Sequence, residues 1–316
     1  MSRPVRILSL AGEESAGSVA EHCSAYDRTL AQYASFSPDF IVFPENATIW
    51  GNRRKVGEQA ETLDGPSPVY YRSTAVKHGS HVVGCFYLKA EPGDKRGEAY
   101  NAAVVVDRSG KLLGTYKKTY PVCNEYTDGI VPGEKGQPPV MTEYGPVGVA
   151  ICFDIGFKET WEGYGEKRVR IVFWPSAYPG GAVLAAHAVQ NCYYVVTSTL
   201  TRRMRVFDPM GRTVAVADER DRALAVTVEL DEEYVHMDYA NKVLSEIRRK
   251  YGAGLTIEAD SDLGWYRFVR KDGVPPLSDI LGEYNLVPCR DYYSRSRGDV
   301  DRQRQTGDAP KYEHGW

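Results

Sequence analysis

Short apolar runs recur along the chain, and in its first half they alternate with stretches of helical periodicity. Residues 5–10 read as a buried strand. Val19, Cys23, Tyr26, Leu30 and Tyr33, at spacings of three and four, predict a helix within 18–36 that Pro38 stops. Residues 39–43 form a second buried strand, ending in Pro44-Glu45-Asn46. Ser67-Pro68 has the composition of a helix start, with Ser as cap and Pro in the first turn, and Gly79 closes that helix. Residues 81–88 follow as a third strand. Further on, 147–153, 170–174, 193–200 and 224–230 are strand-like, with helices near 158–167 and 182–192. Asp231 is placed to cap a last long helix reaching Tyr251.

Two segments read as hairpins by one rule. Val104-Val105-Val106 leads into Asp107-Arg108-Ser109-Gly110-Lys111, and Arg205-Val206-Phe207 into Asp208-Pro209-Met210-Gly211-Arg212. In each, Asp opens a type I turn and Gly supplies the positive φ that rejoins the ladder. We read the likeness as one favourable turn used twice rather than an internal repeat. Strands that alternate with helices and then come as hairpins imply a layered α/β architecture, sheet packed on sheet with helices outside. Periodicity fades after Gly252, and residues 294–316 are polar, rich in Arg and Asp, with little to build a core. The expected organisation is one main domain, 1–260, and a C-terminal extension, 261–316, that orders against a partner subunit.

Composition narrows the function classes. The 316 residues suffice for a sizeable core, with 42% hydrophobic and 26% charged residues. A net charge of -3 gives no basic surplus for nucleic acid or an anionic membrane, so no nucleic-acid or membrane partner is expected. No apolar stretch approaches the roughly 20 residues of a membrane helix. The N-terminal residues lack the apolar segment of a signal peptide, so a cytoplasmic location is expected. The six cysteines, Cys23, Cys85, Cys123, Cys152, Cys192 and Cys289, form no C-x-x-C pair, which argues against a zinc ribbon or a redox pair.

Three polar residues stand at the ends of apolar strands. Phe40-Ile41-Val42-Phe43-Pro44 delivers the carboxylate of Glu45, Leu113-Gly114-Thr115-Tyr116-Lys117 the ammonium of Lys118, and Val147-Gly148-Val149-Ala150-Ile151 the thiol of Cys152. Sites in α/β sheets collect beyond the carboxyl ends of strands. A thiol with an ordinary pKa of about 8.5 is mostly protonated at neutral pH. A neighbouring carboxylate can take that proton, and an ammonium can stabilise the oxyanion formed on attack. Taken singly, each residue has an ordinary reading as cap, solvated charge or core packing.

As an ordered set, Phe43-Pro44-Glu45, Tyr116-Lys117-Lys118 and Ile151-Cys152-Phe153-Asp154 resemble the motifs of the nitrilase superfamily of carbon–nitrogen hydrolases. Supporting matches are Tyr100-Asn101-Ala102-Ala103, Pro132-Gly133, Trp174-Pro175-Ser176, Asn191-Cys192-Tyr193 and Asp208-Pro209-x-Gly211. The resemblance implies a four-layer α-β-β-α sandwich that pairs with a second subunit, as a homodimer or larger homo-oligomer, and no metal or organic cofactor. It implies Cys152 as nucleophile, Glu45 as acid/base, and an oxyanion hole from Lys118 and the backbone N–H of Phe153. The family places the catalytic lysine second in the basic pair, and strand alternation lets only one of Lys117 and Lys118 face the site. A second carboxylate often lies between lysine and cysteine; Glu125 fits that placement better than Glu134 or Glu143. Trp50, Tyr120, Trp174 and Tyr178 lie near motif ends and are candidates for the pocket wall.

The chain departs from the family pattern at Gly156-Phe157-Lys158-Glu159, where Arg-Phe-Pro-Glu is frequent, and at Gln190-Asn191, where Glu-Asn is frequent. The implied activity is hydrolysis of a small amide or carbamoyl compound through a cysteine thioester. Alternatives are nitrile hydrolysis by the same residues, or a non-catalytic binding or scaffold role.

Overall fold

The apolar runs become the strands of two six-stranded sheets, and the amphipathic segments cover their outer faces. The computed structural model describes residues 4–13, 17–52, 54–93 and 96–308. In chain order its elements are β1 (Pro4–Leu10), α1 (Val19–Gln32), β2 (Phe40–Val42), α2 (Val56–Gln59), α3 (Pro66–His78), β3 (His81–Lys89), β4 (Ala99–Val106), β5 (Leu112–Lys117), α4 (Cys123–Thr127), β6 (Val140–Thr142), β7 (Gly145–Val149), α5 (Lys158–Glu166), β8 (Ile171–Ser176), α6 (Ala182–Asn191), β9 (Tyr194–Thr199), β10 (Arg205–Phe207), β11 (Thr213–Val216) and β12 (Ala223–Glu229), then β13 (Glu232–His236), α7 (Met237–Tyr251), β14 (Leu255–Asp260), β15 (Trp265–Arg270), α8 (Leu277–Glu283) and α9 (Cys289–Thr306). These form two compact units, residues 5–227 and the segment from residue 228 onward.

In the larger unit one sheet has the order β12-β1-β2-β3-β4-β5 and the other β11-β10-β9-β8-β7-β6. Side chains alternate between the faces of a strand. Leu8, Leu10, Ile41 and Phe43 therefore share one face, in a core with Tyr26 and Leu30 of α1 and Tyr71 and Ala75 of α3. Their sequence neighbours point to the other sheet: Ser9 Oγ donates to the Thr197 carbonyl at 2.6 Å, and the rings of Phe40 and Phe173 lie 5.0 Å apart. Ser198 Oγ returns the connection, donating to the carbonyls of Leu10 and Val42. Trp161, Tyr164, Leu184 and Ala188 of α5 and α6 cover Val172, Trp174 and Val195 on the second sheet's outer face. The layers are helix, sheet, sheet, helix.

The two hairpins occupy matching places. β1, β2 and β3 are parallel and lead into the antiparallel β4–β5 hairpin; β7, β8 and β9 are parallel and are followed by the β10–β11 hairpin. Asp107 Oδ1 accepts from the N–H groups of Ser109 and Lys111, and Asp208 Oδ1 from those of Met210 and Arg212. Gly110 and Gly211 take φ of 83° and 74°. Both ladders shift register just before the turn, at Val105/Val106 and at Val206/Phe207. The shared turn thus belongs to a repeated strand order, not merely to a turn chemistry chosen twice.

Several boundaries differ from the sequence expectation. α3 begins at Pro66 with Gly65 as its cap residue. Ser67 is buried within the helix, where its N–H and hydroxyl both donate to the Glu61 carboxylate at 2.7 Å. Capping is therefore supplied from six residues upstream. Asp231 does not start a long helix: β13 comes first, and α7 begins only after His236, whose Nδ1 accepts from the Asp238 N–H. The acidic residues of β13 hid the strand, because Glu232 is buried by pairing with Arg267 and the Tyr234 hydroxyl rather than by being apolar. In the second unit β13, β15 and β14 form an antiparallel sheet. Residues 294–306, expected to order only against a partner subunit, belong to α9, whose Arg302–Asp299 and Arg304–Asp301 pairs are spaced to support a helix. The final eight residues, 309–316, lie outside the described residues.

Among the described residues, no helix is long and apolar enough to cross a membrane. Among the described residues, no disulfide is formed by the six cysteines.

Candidate active site

Glu45, Lys118 and Cys152 each follow the carboxyl end of a strand, the first two on one sheet and the third on the other. β2 ends at Val42, and Asn46, immediately after Glu45, takes a left-handed φ of 51° that turns the chain away from the sheet. Glu45 is left 5% exposed. At the end of β5 the strand alternation separates the two lysines. Lys118 is 1% exposed, whereas Lys117 lies with its Nζ 3.9 Å from the centre of the Tyr100 ring.

Lys118 Nζ donates to Glu45 Oε1 and to Glu125 Oε2, both at 2.8 Å. Glu125 comes from the short helix α4, and its Oε2 also accepts from the Val122 N–H at 2.7 Å. A fourth residue completes the network. Asn101 of β4 donates from Nδ2 to Glu45 Oε1 and to Glu125 Oε1, both at 2.8 Å. The sequence motif contained Asn101 but not this role; its signal is an amide in the middle of an entirely buried strand.

The thiol sits on a turn whose construction is visible residue by residue. The ring of Tyr164 lies over Gly148, where a Cβ would come within 2.8 Å of it, and its hydroxyl donates to the Val149 carbonyl at 2.6 Å. Beyond Ala150 the ladder stops, because the Ile151 N–H donates to Asp154 Oδ2 at 2.9 Å. Strand β7 therefore ends before Cys152, which was expected at the strand's tip. Cys152 instead takes a left-handed φ of 46° and opens a 3₁₀ turn over Cys152–Gly156. A non-glycine residue at positive φ is strained, and such strain recurs at functional sites. The Cys152 carbonyl accepts from the indole of Trp174 at 3.0 Å.

Asp154 is the pin of this turn. It is fully buried and accepts from the Ile151 N–H, the Tyr116 hydroxyl and the Tyr120 N–H at 2.8–2.9 Å. It thereby ties the chain around Cys152 to the segments on both sides of Lys118. Burial pushes its carboxyl up to about 6 despite the three donors.

Electrostatics set the resting protonation of the site. Burial works against the Lys118 charge, but Glu45 and Glu125 outweigh it and hold the ammonium well above its ordinary value. Burial, and then the Glu45 charge, push the Cys152 thiol up to about 12, although Lys118, the Ala177 N–H and the Ser176 hydroxyl all favour the thiolate. The resting site holds a neutral thiol beside an ammonium clamped by two carboxylates.

The other residues expected at the site fall into different places. Phe153 is 40% exposed, in edge contact with Phe157, and Phe157 stacks on Tyr120 at 3.6 Å. Tyr178 is partly exposed, its ring meets that of Trp174 edge-on at 5.4 Å, and burial pushes its phenol up to about 12. Trp174 is fully buried in the core under α5 and α6, where its indole supports the Cys152 turn from behind. Trp50 lies in an exposed turn with its carbonyl bonded to His22 Nε2. Among the described residues no group of three or more His, Cys, Asp or Glu is arranged to hold a metal ion.

A family profile described as carbon-nitrogen hydrolase matches residues 13–236, which span Glu45, Lys118, Glu125 and Cys152. The chain belongs to the carbon-nitrogen hydrolase family. Among curated relatives, the chain is 28% identical to the deaminated glutathione amidase of Rattus norvegicus over 51% of its own length and 57% of the relative's. It is 27% identical to the omega-amidase NIT2 of Danio rerio over 55% and 70% of the respective lengths. The chain thus spans little more than half the length of the rat protein. Among solved structures, Saccharomyces cerevisiae Nit3, of the nitrilase superfamily, superposes with a TM-score of 0.64 at 18% identity, covering 79% of this chain and 95% of that one. An amidase from Nesterenkonia sp. superposes at 0.61 and 19% identity, covering 78% and 96%. These likenesses establish the fold.

Proposed function

We propose that the protein hydrolyses a small amide or carbamoyl compound through a thioester on Cys152. The observation that carries this reading is the clamped Lys118 beside a neutral, buried thiol. An ammonium has three donors. Two are committed to Glu45 and Glu125, which leaves the third for an oxyanion. Both bonds to Glu45 land on Oε1, which leaves Oε2 to take a proton. As Sγ attacks the carbonyl carbon, the thiol proton passes to Glu45. The oxyanion is held by Lys118 and by the Phe153 N–H, one of the first donors of a 3₁₀ turn and so without a partner inside it. Glu45 returns the proton to the leaving nitrogen as the C–N bond breaks. Water, deprotonated by Glu45, then cleaves the thioester, and Cys152 regains its proton.

Amide is favoured over nitrile by the sequence Cys152-Phe153-Asp154, which is similar to the amidase branches, whereas typical nitrilases read Cys-Trp-Glu. Three supports come from relatives and neighbours: two relatives named as amidases, and a solved Nesterenkonia amidase mutant that carries an acetamide moiety on its active-site cysteine. We place the enzyme in the cytosol, where six cysteines outside any disulfide suit a reducing compartment. We also propose a homodimer or larger assembly in which residues 261–316 pack on the partner. Exposed Val214 and Val216 on the edge strand β11 suit association. Ammonia release from matched amide and nitrile pairs tests the reaction. Higher specificity constants for the amides are expected, and a consistent preference for nitriles would overturn that choice.

A further inference from the structure

Asn101 stands in β4, whose eight residues are all buried, and every strand neighbour except Tyr100 is apolar. A buried amide is costly unless its polar groups are bonded. Here one half is fully used and the other is not. Nδ2 gives one hydrogen to Glu45 Oε1 and the other to Glu125 Oε1, each at 2.8 Å, while Oδ1 is buried and accepts nothing among the described residues. The orientation of the amide is fixed by its neighbours, since turning it over would set its oxygen against two carboxylates. A side chain retained for stability alone would not leave an acceptor orphaned in the core. What the chain gains by keeping an amide here is two N–H bonds, both directed at acids of the site.

Lys118 completes a closed figure around the same two acids, bonding Glu45 Oε1 and Glu125 Oε2, and its own N–H donates to the Asn101 carbonyl at 2.8 Å. The geometry points to Asn101 as a positioning residue: its single nitrogen sets the spacing of Glu45 and Glu125, occupies Oε1 of Glu45, and so presents Oε2 to the Cys152 thiol. Asn101 touches no reacting atom; it acts through the two carboxylates. This inference rests on the reading of Glu45 and Cys152 above, and its test separates the two.

Asn101→Leu removes both donors while keeping the branch at Cγ, with a somewhat larger side chain. Turnover of an amide is expected to fall roughly tenfold to a hundredfold, the worth of hydrogen bonds to charged groups, with KM changed little. On a Glu125→Gln background the same substitution should cost less, because one of its two targets has lost its charge. Asn101→Asp keeps the shape and replaces the donor with a third carboxylate, so it should lose at least as much at neutral pH, and it carries the test if the Leu variant does not fold. Unchanged turnover, a loss confined to KM, or an equal factor on both backgrounds would overturn the inference. Turnover that survived in Cys152→Ala or Glu45→Gln would instead remove the underlying reading, whatever Asn101 does.

Discussion

Lys117 lies over the ring of Tyr100, whereas Lys118 is enclosed between Glu45 and Glu125. Adjacent residues on a strand face opposite ways, so the same side chain is a surface cation at one position and a catalytic candidate at the next. Lys118→Ala should lower turnover by about a hundredfold to a thousandfold, the usual loss on removing one oxyanion donor. Lys117→Ala should leave turnover unchanged and cost stability by about 1 kcal/mol at most, the scale of an exposed cation–π contact. Steady-state kinetics and thermal unfolding of both variants check this, and the opposite ranking would contradict the assignment of strand faces. Asp154 supplies a second test. Its carboxyl is raised from 3.8 to about 6 in the folded protein, mainly by burial. Between those values the folded chain holds a proton that the unfolded chain does not. The group therefore favours folding increasingly as pH falls from about 6, and loses that contribution as pH rises through 6. Asp154→Asn removes the titration and sets an amide N–H₂ among donors. Its stability deficit relative to the parent should be larger at pH 5 than at pH 8 in denaturant titrations; a deficit that shrinks with acid would contradict the buried-carboxylate account.

The turn that carries Cys152 is held by three elements at once. Tyr164 of α5 closes over Gly148, Tyr116 of β5 bonds Asp154, and Trp174 of β8 bonds the Cys152 carbonyl. Trp174→Phe keeps an aromatic ring but leaves that carbonyl unpaired in the core, a cost of about 1–3 kcal/mol, with a further loss from the smaller ring. Lower unfolding temperature together with reduced turnover is expected; a variant with parental stability and activity would show that the turn needs no such support. This also marks what could be read from the chain alone. Glu45, Lys118 and Cys152 were legible because polar groups that end apolar strands break a local pattern. The roles of Asn101, Trp174 and Asp154's donors were not, because each depends on a partner 22 to 56 residues away that only the packed sheets bring near. β13 was missed for a related reason: its buried Glu232 is neutralised by Arg267, a pairing that binary patterning reads as exposed helix.

At the scale of the molecule, the sheet-on-sheet layering followed from strand order, and the repeat of three parallel strands and a hairpin gives each sheet one set of strand ends at which chemistry can collect. One sheet supplies acid and ammonium, and the other supplies the thiol. The central claim is that these parts act together to acylate Cys152. Rapid quenching of the enzyme with an amide substrate, followed by intact and peptide mass spectrometry, tests it most directly. A mass increase equal to the acyl group less the displaced thiol hydrogen is expected, located on the peptide that contains Cys152 and lost on hydrolysis at the rate of turnover. Turnover with no such adduct, or with the acyl group on Cys123, Cys192 or any other residue, would contradict it.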